Sequence, residues 1–184
     1  MEIDMLRTIA ICAGAMALGV SAAASAENRI SAQETYEILQ SERDEVLFID
    51  VRDPVEVMFI GATNEVDRNI PFRVVDRESW NEERGHFAMV PNEDFAEQVA
   101  AALEEKGLDR SATVITMCRS GSDRGEPSAS YLLEQGFESV RYVTHGFQGD
   151  PAESGEREGM RLVNGWQNSD LPWTRTLDAD KAFR

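Results

Sequence analysis

The sequence predicts an α/β protein, a central parallel sheet with helices on both faces. Three short apolar runs rich in β-branched residues, VLFIDV (46–51), TVITM (113–117) and SVRYV (139–143), read as buried strands. Segments of helical period stand between them at short spacing. In such sheets ligands bind beyond the carboxyl ends of the strands, so residues just after each run are the first candidates for function.

The chain opens with a targeting segment. Arg7 gives a positive start, residues 9–20 are apolar, and Ala24-Ser25-Ala26 fits a cleavage site. The apolar run falls short of the ~20 residues a membrane span needs. Residues 1–26 are therefore expected to be a cleaved signal peptide, Cys12 is removed with it, and residues 27–184 form a single domain with a C-terminal tail. The destination is periplasmic or secreted. Ser31 and Glu34 then form a capping box, and Tyr36, Ile38 and Leu39 carry the apolar spacing of a short helix. After the first strand, RDPVEVMFIGATNEVDRNIPF reads as loop, punctuated by Gly61 and Pro71. Residues 76–85 are polar and charged and read as a surface excursion. EDFAEQVAAALEEKG is a second helix, with Phe95, Val99 and Leu103 on one face and Gly107 as its stop. Beyond the second strand, Pro127 suits a helix first turn, Ala129, Leu132 and Leu133 form the inward stripe, and Gly136 ends it. Residues 151–160 are rich in glycine and glutamate and read as a mobile loop. NGWQNSDLPW brings aromatic anchors back to the body, with Trp166 and Trp173 in packing roles.

The formal net charge of -16 disfavours nucleic acid as a partner, because binding it requires cations to neutralise phosphates. It equally disfavours an anionic membrane surface, and no membrane association is expected after signal cleavage. With Cys12 gone, Cys118 is the only thiol and cannot close an intramolecular disulfide. His86 and His145 are scattered, so no metal site and no cofactor are implied.

Cys118 ends a buried strand and begins the loop CRSGSDR (118–124), after which a helix starts. The thiolate is the nucleophilic form of cysteine, so its surroundings must favour negative charge. Loop N–H groups and the positive end of the following helix supply that bias. Gly121 permits the backbone angles of a tight cradle. Arg119 and Arg124 offer cations to an anionic substrate, and Ser120 and Ser122 offer hydroxyls. Asp123 adds an opposing charge.

Together IDVRDPVEV, NIPF, VITMCRSGSDR, LLEQGF, RYVTHGF and NGWQNSDLPW resemble, in order, the rhodanese-like family, with CRSG as the most specific element. The resemblance implies an α/β fold and a cysteine that carries a persulfide. It also implies sulfur transfer from a small anionic donor such as thiosulfate to cyanide or a thiol, with a protein sulfur acceptor as a further partner. Cys118 would be the nucleophile, and Asp50 and Arg52 would support its loop. Two departures stand out. The usual loop has six residues, C-R-S-G-x-R, and this one has seven. A C-x5-R loop resembles the related phosphatases and arsenate reductases, where a tetrahedral oxyanion needs a wider ring of donors; Met117, however, stands where those enzymes carry histidine. The segment near Gly61 also lacks the family's Gly-His-Ile-x-Gly-Ala pattern. Phosphatase or arsenate reductase chemistry is thus the second reading, and a persulfide-carrying or binding module without turnover the third.

Overall fold

A computed structural model describes residues 28–184. The expected signal peptide, residues 1–26, lies outside them. Among the described residues no helix is long and apolar enough to cross a membrane.

The centre is a five-stranded parallel sheet of β1 (Arg29–Ile30), β2 (Val46–Asp50), β3 (Arg68–Asn69), β6 (Thr113–Met117) and β7 (Ser139–Val143), in the spatial order β1-β7-β6-β2-β3. All four pairings are parallel. β6 and β2 occupy the middle, and every residue of β2 is buried. That explains its continuous apolar run, because a strand covered on both faces has no solvent side to alternate with.

The helices divide between the two faces. On one side α3 (Phe95–Glu105) and α4 (Gly125–Glu134) pack Phe95, Val99, Leu103 and Leu132 against Leu47, Ile49, Val114 and Val140. On the other, α1 (Ala32–Ser41) and the tail pack Leu39 and Trp166 against Phe48, Ile115 and Met117. α1 begins with the expected capping box: Ser31 Oγ accepts from Glu34 N, and the Glu34 carboxylate accepts from Ser31 N. The Glu34 carboxyl is held below its usual range by hydrogen bonds that it accepts from the Ser31 hydroxyl at 2.6 Å and from Ser31 N–H at 2.9 Å.

Two segments differ from their sequence reading. The stretch after β2, expected to be loop, contains α2 (Pro54–Ile60). Asp53 caps it by accepting from Val55 N at 2.8 Å, with Pro54 at the first helical position. α2 is apolar nearly all round and buries only Val57, while Val55, Met58 and Phe59 are exposed, so no amphipathic stripe marks it. The polar stretch 76–85 belongs to an antiparallel hairpin of β4 (Arg73–Asn81) and β5 (His86–Pro91), whose register shifts between Asp76 and Trp80. That bulge interrupts the alternation by which the strand would have been recognised. Asp53 ties the hairpin to α2, because its second oxygen accepts from Val75 N at 2.9 Å.

The tail closes the sheet's second face. Trp166 is fully buried, 5.4 Å from the Phe48 ring and edge-on to Tyr36, and its Nε1–H donates to Pro172 O at 3.0 Å. Trp173 is partly exposed and lies edge-on to Phe147. Residues 151–160 form turns closed by a bridge between Pro151 and Arg161.

Trp166→Ala should cost about 3–5 kcal/mol of stability, the range for emptying a large aromatic site in a core. Urea unfolding at neutral pH measures this. A loss below about 1 kcal/mol would mean that the tail is not part of the cooperative core.

Candidate active site

Cys118 follows the last residue of β6, so the sheet delivers its thiol to the carboxyl end of a central strand. The chain must turn between β6 and α4 within a few residues, and Gly121 makes this possible with φ +88°. A side chain there would stand 2.7 Å from His145 N, so the loop packs against the segment after β7. Gly121 N–H donates to Cys118 Sγ at 3.1 Å. Gly125, the first residue of α4, lies close enough that a Cβ on it would sit 3.4 Å from Sγ. Arg124 caps α4 without a side-chain hydrogen bond, and in the first turn Glu126 N–H donates to Gly121 O at 3.0 Å, which ties the start of α4 and its positive end to the cysteine loop. Cys118 itself is fully buried.

The segment from His145 to Gln148 holds the loop's backbone. Phe147 N–H donates to Cys118 O at 2.8 Å and Gln148 N–H to Arg119 O at 2.9 Å. His145 adopts φ 63° and pairs with Asp150 at 2.8 Å on the surface. Gly146 is the tightest point, with φ +55° and a Cβ position that would collide with the Cys118 carbonyl. On the loop's far side, Thr116 and Ser128 hydroxyls both donate to Gly125 O, fixing the start of α4 to β6.

Asp50 and Arg52 form a fully buried ion pair beside the loop. Asp50 sits opposite Met117 in the β2–β6 register. Arg52 Nη2 reaches Asp50 Oδ2 at 2.5 Å and Gly61 O at 3.0 Å, and Nε reaches Oδ1 at 2.9 Å. The guanidinium lies 4.3 Å from the centre of the Phe147 ring, which faces the charge although Nη1 has no hydrogen-bond partner among the described residues. Phe147 therefore touches the pair through its ring and Cys118 O through its N–H.

The remaining loop side chains diverge. Arg119 is exposed and donates through Nε to Gln148 Oε1 at 2.8 Å; partial desolvation, with the charge of Arg161, lowers its affinity for a proton. Ser120 and Ser122 approach each other at 3.3 Å, and Asp123 points to solvent. Arg124 turns inward and is nearly buried. Both its terminal nitrogens meet the carboxylate of Glu56 on α2, Nη2 at 2.9 Å from Oε1 and Nη1 against Oε2. Burial opposes charge on both partners, but their mutual hydrogen bonds and attraction win. Glu56 is held below the usual carboxylate range, and Arg124 is held above its ordinary value, with a further electrostatic contribution from neighbouring Cys118. Sequence reasoning missed Glu56. The available signal was Asp53-Pro54, a cap and first-turn pair that would have placed Glu56 in the first turn of a helix beside the active loop.

Among the described residues no cluster of His, Cys, Asp and Glu could hold a metal ion.

Gly146→Ala should destabilise the protein well beyond the ~1–2 kcal/mol that left-handed backbone costs a side chain, because its Cβ meets the loop. Gly155→Ala, also left-handed at φ +90° but facing open space, should cost only that backbone term. Comparing the two by urea unfolding isolates the steric contact. A second prediction concerns pH. A carboxyl whose value is depressed by folding contributes stability that is present above its ordinary value and lost as pH falls through the depressed one. Glu56→Gln should therefore destabilise at neutral pH, and its gap to wild type should narrow as pH drops below ~4.3, the ordinary glutamate value. Unfolding curves across pH measure the gap, and a constant gap would contradict the pairing.

The rhodanese-like domain family model matches residues 31–150. No curated protein matches the chain significantly. Among solved structures, the chain is similar to Rv0390 from M. tuberculosis, at 25% identity and a TM-score of 0.51, covering 80% of this chain and 97% of that one. It is also similar to a rhodanese-related protein from Thermoplasma volcanium, at 18% identity and a TM-score of 0.43, covering 81% and 99% of the two chains. With the family model spanning four of the sheet's five strands, the cysteine loop and the Asp50–Arg52 pair, the chain belongs to the rhodanese-like domain family.

Proposed function

We propose that the protein is a sulfurtransferase that carries a sulfane sulfur as a persulfide on Cys118, taken from an anionic donor such as thiosulfate and passed to cyanide or a thiol. The observation that carries this reading is the seat of Cys118 Sγ, which accepts Gly121 N–H at 3.1 Å against the first residue of α4. A helix N-terminus and an inward N–H favour a negative sulfur there, first as thiolate and then as persulfide.

The reaction is a double displacement. The Cys118 thiolate attacks the outer sulfur of thiosulfate, the new S–S bond forms, and the donor's S–S bond breaks with sulfite leaving with the electron pair. The acceptor then attacks the outer sulfur of Cys118–S–S⁻, and Cys118 leaves as thiolate. Asp50 and Arg52 serve as positioning residues through Phe147, and the loop from Arg119 to Arg124 surrounds the transferred sulfur. With residues 1–26 read as an export leader, donor and acceptor would be those of an extracytoplasmic compartment.

Phosphatase or arsenate reductase chemistry is favoured by one observation, the C-x5-R spacing from Cys118 to Arg124. Against it, the bidentate face of Arg124 that would hold an oxyanion is already given to Glu56.

A thiosulfate:cyanide assay should give thiocyanate with wild type and none above background with Cys118→Ser, whose melting temperature should stay close to wild type. Undiminished transfer by that variant would contradict the mechanism. Hydrolysis of an aryl phosphate without sulfur transfer would favour the second reading, and a stable sulfur adduct without turnover would favour a carrier.

A further inference from the structure

The pairing of Glu56 with Arg124 bears on which donors the site accepts, an inference that rests on the sulfurtransferase reading. Around Cys118 stand three cations, Arg52, Arg119 and Arg124, and two anions that pair with them, Asp50 fully buried and Glu56 partly so. Arg52 is spent on Asp50, and Arg119 leans outward to Gln148. Arg124, the remaining cation, is buried and near enough to Cys118 to interact with it electrostatically, and its fork is filled by a carboxylate contributed from α2. The loop's own anion, Asp123, is exposed. Arg124 and Glu56 are mostly buried, with side-chain exposures of 9% and 22%, so water screens their fields only in part.

A planar carboxylate on a guanidinium fork occupies the same two N–H directions that a sulfonate would use. An incoming thiosulfate, a dianion, must therefore either displace Glu56 or be held beside its negative charge. A donor with the same sulfane sulfur and one charge fewer meets less of that opposition. We propose that Glu56 is a specificity-determining residue, an internal carboxylate that holds Arg124 and thereby selects monoanionic sulfane donors over dianionic thiosulfate.

Thiosulfate and methanethiosulfonate make a matched pair for testing this. Both present a terminal sulfur on an S–S bond, and they differ by one charged oxygen replaced by a methyl group. In each case Cys118 attacks the terminal sulfur and the S–S bond breaks, releasing sulfite from the first donor and methanesulfinate from the second with the electron pair. Glu56→Gln removes the charge while leaving Arg124 a hydrogen-bond acceptor. A neighbouring charge shifts the equilibrium of an ionised group by a factor on the order of ten or more. In Glu56→Gln, kcat/KM for thiosulfate relative to methanethiosulfonate should therefore rise about tenfold over wild type. An unchanged ratio would overturn the proposal, whatever happened to the two rates together.

A readout on Cys118 itself separates failure of this inference from failure of the sulfurtransferase reading. If neither donor yields sulfur transfer in either protein, that reading falls, and charge selection is measured by alkylation with anionic iodoacetate against neutral iodoacetamide, following the adduct on the Cys118 peptide. A gain for iodoacetate relative to iodoacetamide in Glu56→Gln upholds the selector. An equal ratio in the two proteins overturns it, as does a Cys118 that neither reagent modifies, since a site closed to both selects neither.

Discussion

The junction between β6 and α4 is the constraint on which the rest of this structure depends. A parallel strand must hand over to a helix within seven residues, and the turn places one thiol against the helix's first residue. Such a turn leaves backbone groups that need partners. The chain supplies them from the next connection along the sheet: Phe147 and Gln148 donate to the carbonyls of Cys118 and Arg119. The approach is so close that Gly121 and Gly146 both stand where a side chain would collide.

A second layer supports this junction from beneath. Asp50 and Arg52 are fully buried charges at the end of β2, and they survive burial because they satisfy each other while Arg52 also reaches Gly61 O and the Phe147 ring. The same few residues thus connect the β2 turn, the end of α2 and the backbone that holds the cysteine loop. Charge near the thiol is arranged in opposed pairs, Arg52 with Asp50 and Arg124 with Glu56. In the proposed chemistry the negative sulfur relies chiefly on Gly121 N–H and the helix end, which carry no mobile counter-ion and remain in place through both displacements.

Much of this was legible in the sequence because burial leaves a strong mark on parallel strands. VLFIDV, TVITM and SVRYV announce themselves by continuous apolar character, and α3 by Phe95, Val99 and Leu103 on one face. Ser31 and Glu34 announce α1 by the chemistry of its cap. Cys118 was conspicuous as the residue after a buried strand. What stayed hidden lacked periodicity. α2 exposes Val55, Met58 and Phe59 and buries Val57 alone, so its apolar residues describe no face. The β4–β5 hairpin is polar through 76–85 and bulged, its apolar Trp80, Phe87 and Val90 are exposed, and Asp53 ties β4 to α2 through Val75 N. Glu56 was lost with α2, and with it the fact that Arg124 already has a partner, since a pairing across 68 residues has no local signature.

The central claim is that Cys118 takes a sulfane sulfur into covalent linkage and gives it up to an acceptor. The most direct measurement uses thiosulfate carrying radioactive label in its outer sulfur, followed by removal of excess donor, digestion without reductant and location of the label. The account predicts label on the peptide containing Cys118, discharged as thiocyanate when cyanide is added before digestion. Label that never enters the protein, or that resides on any other peptide, would contradict it.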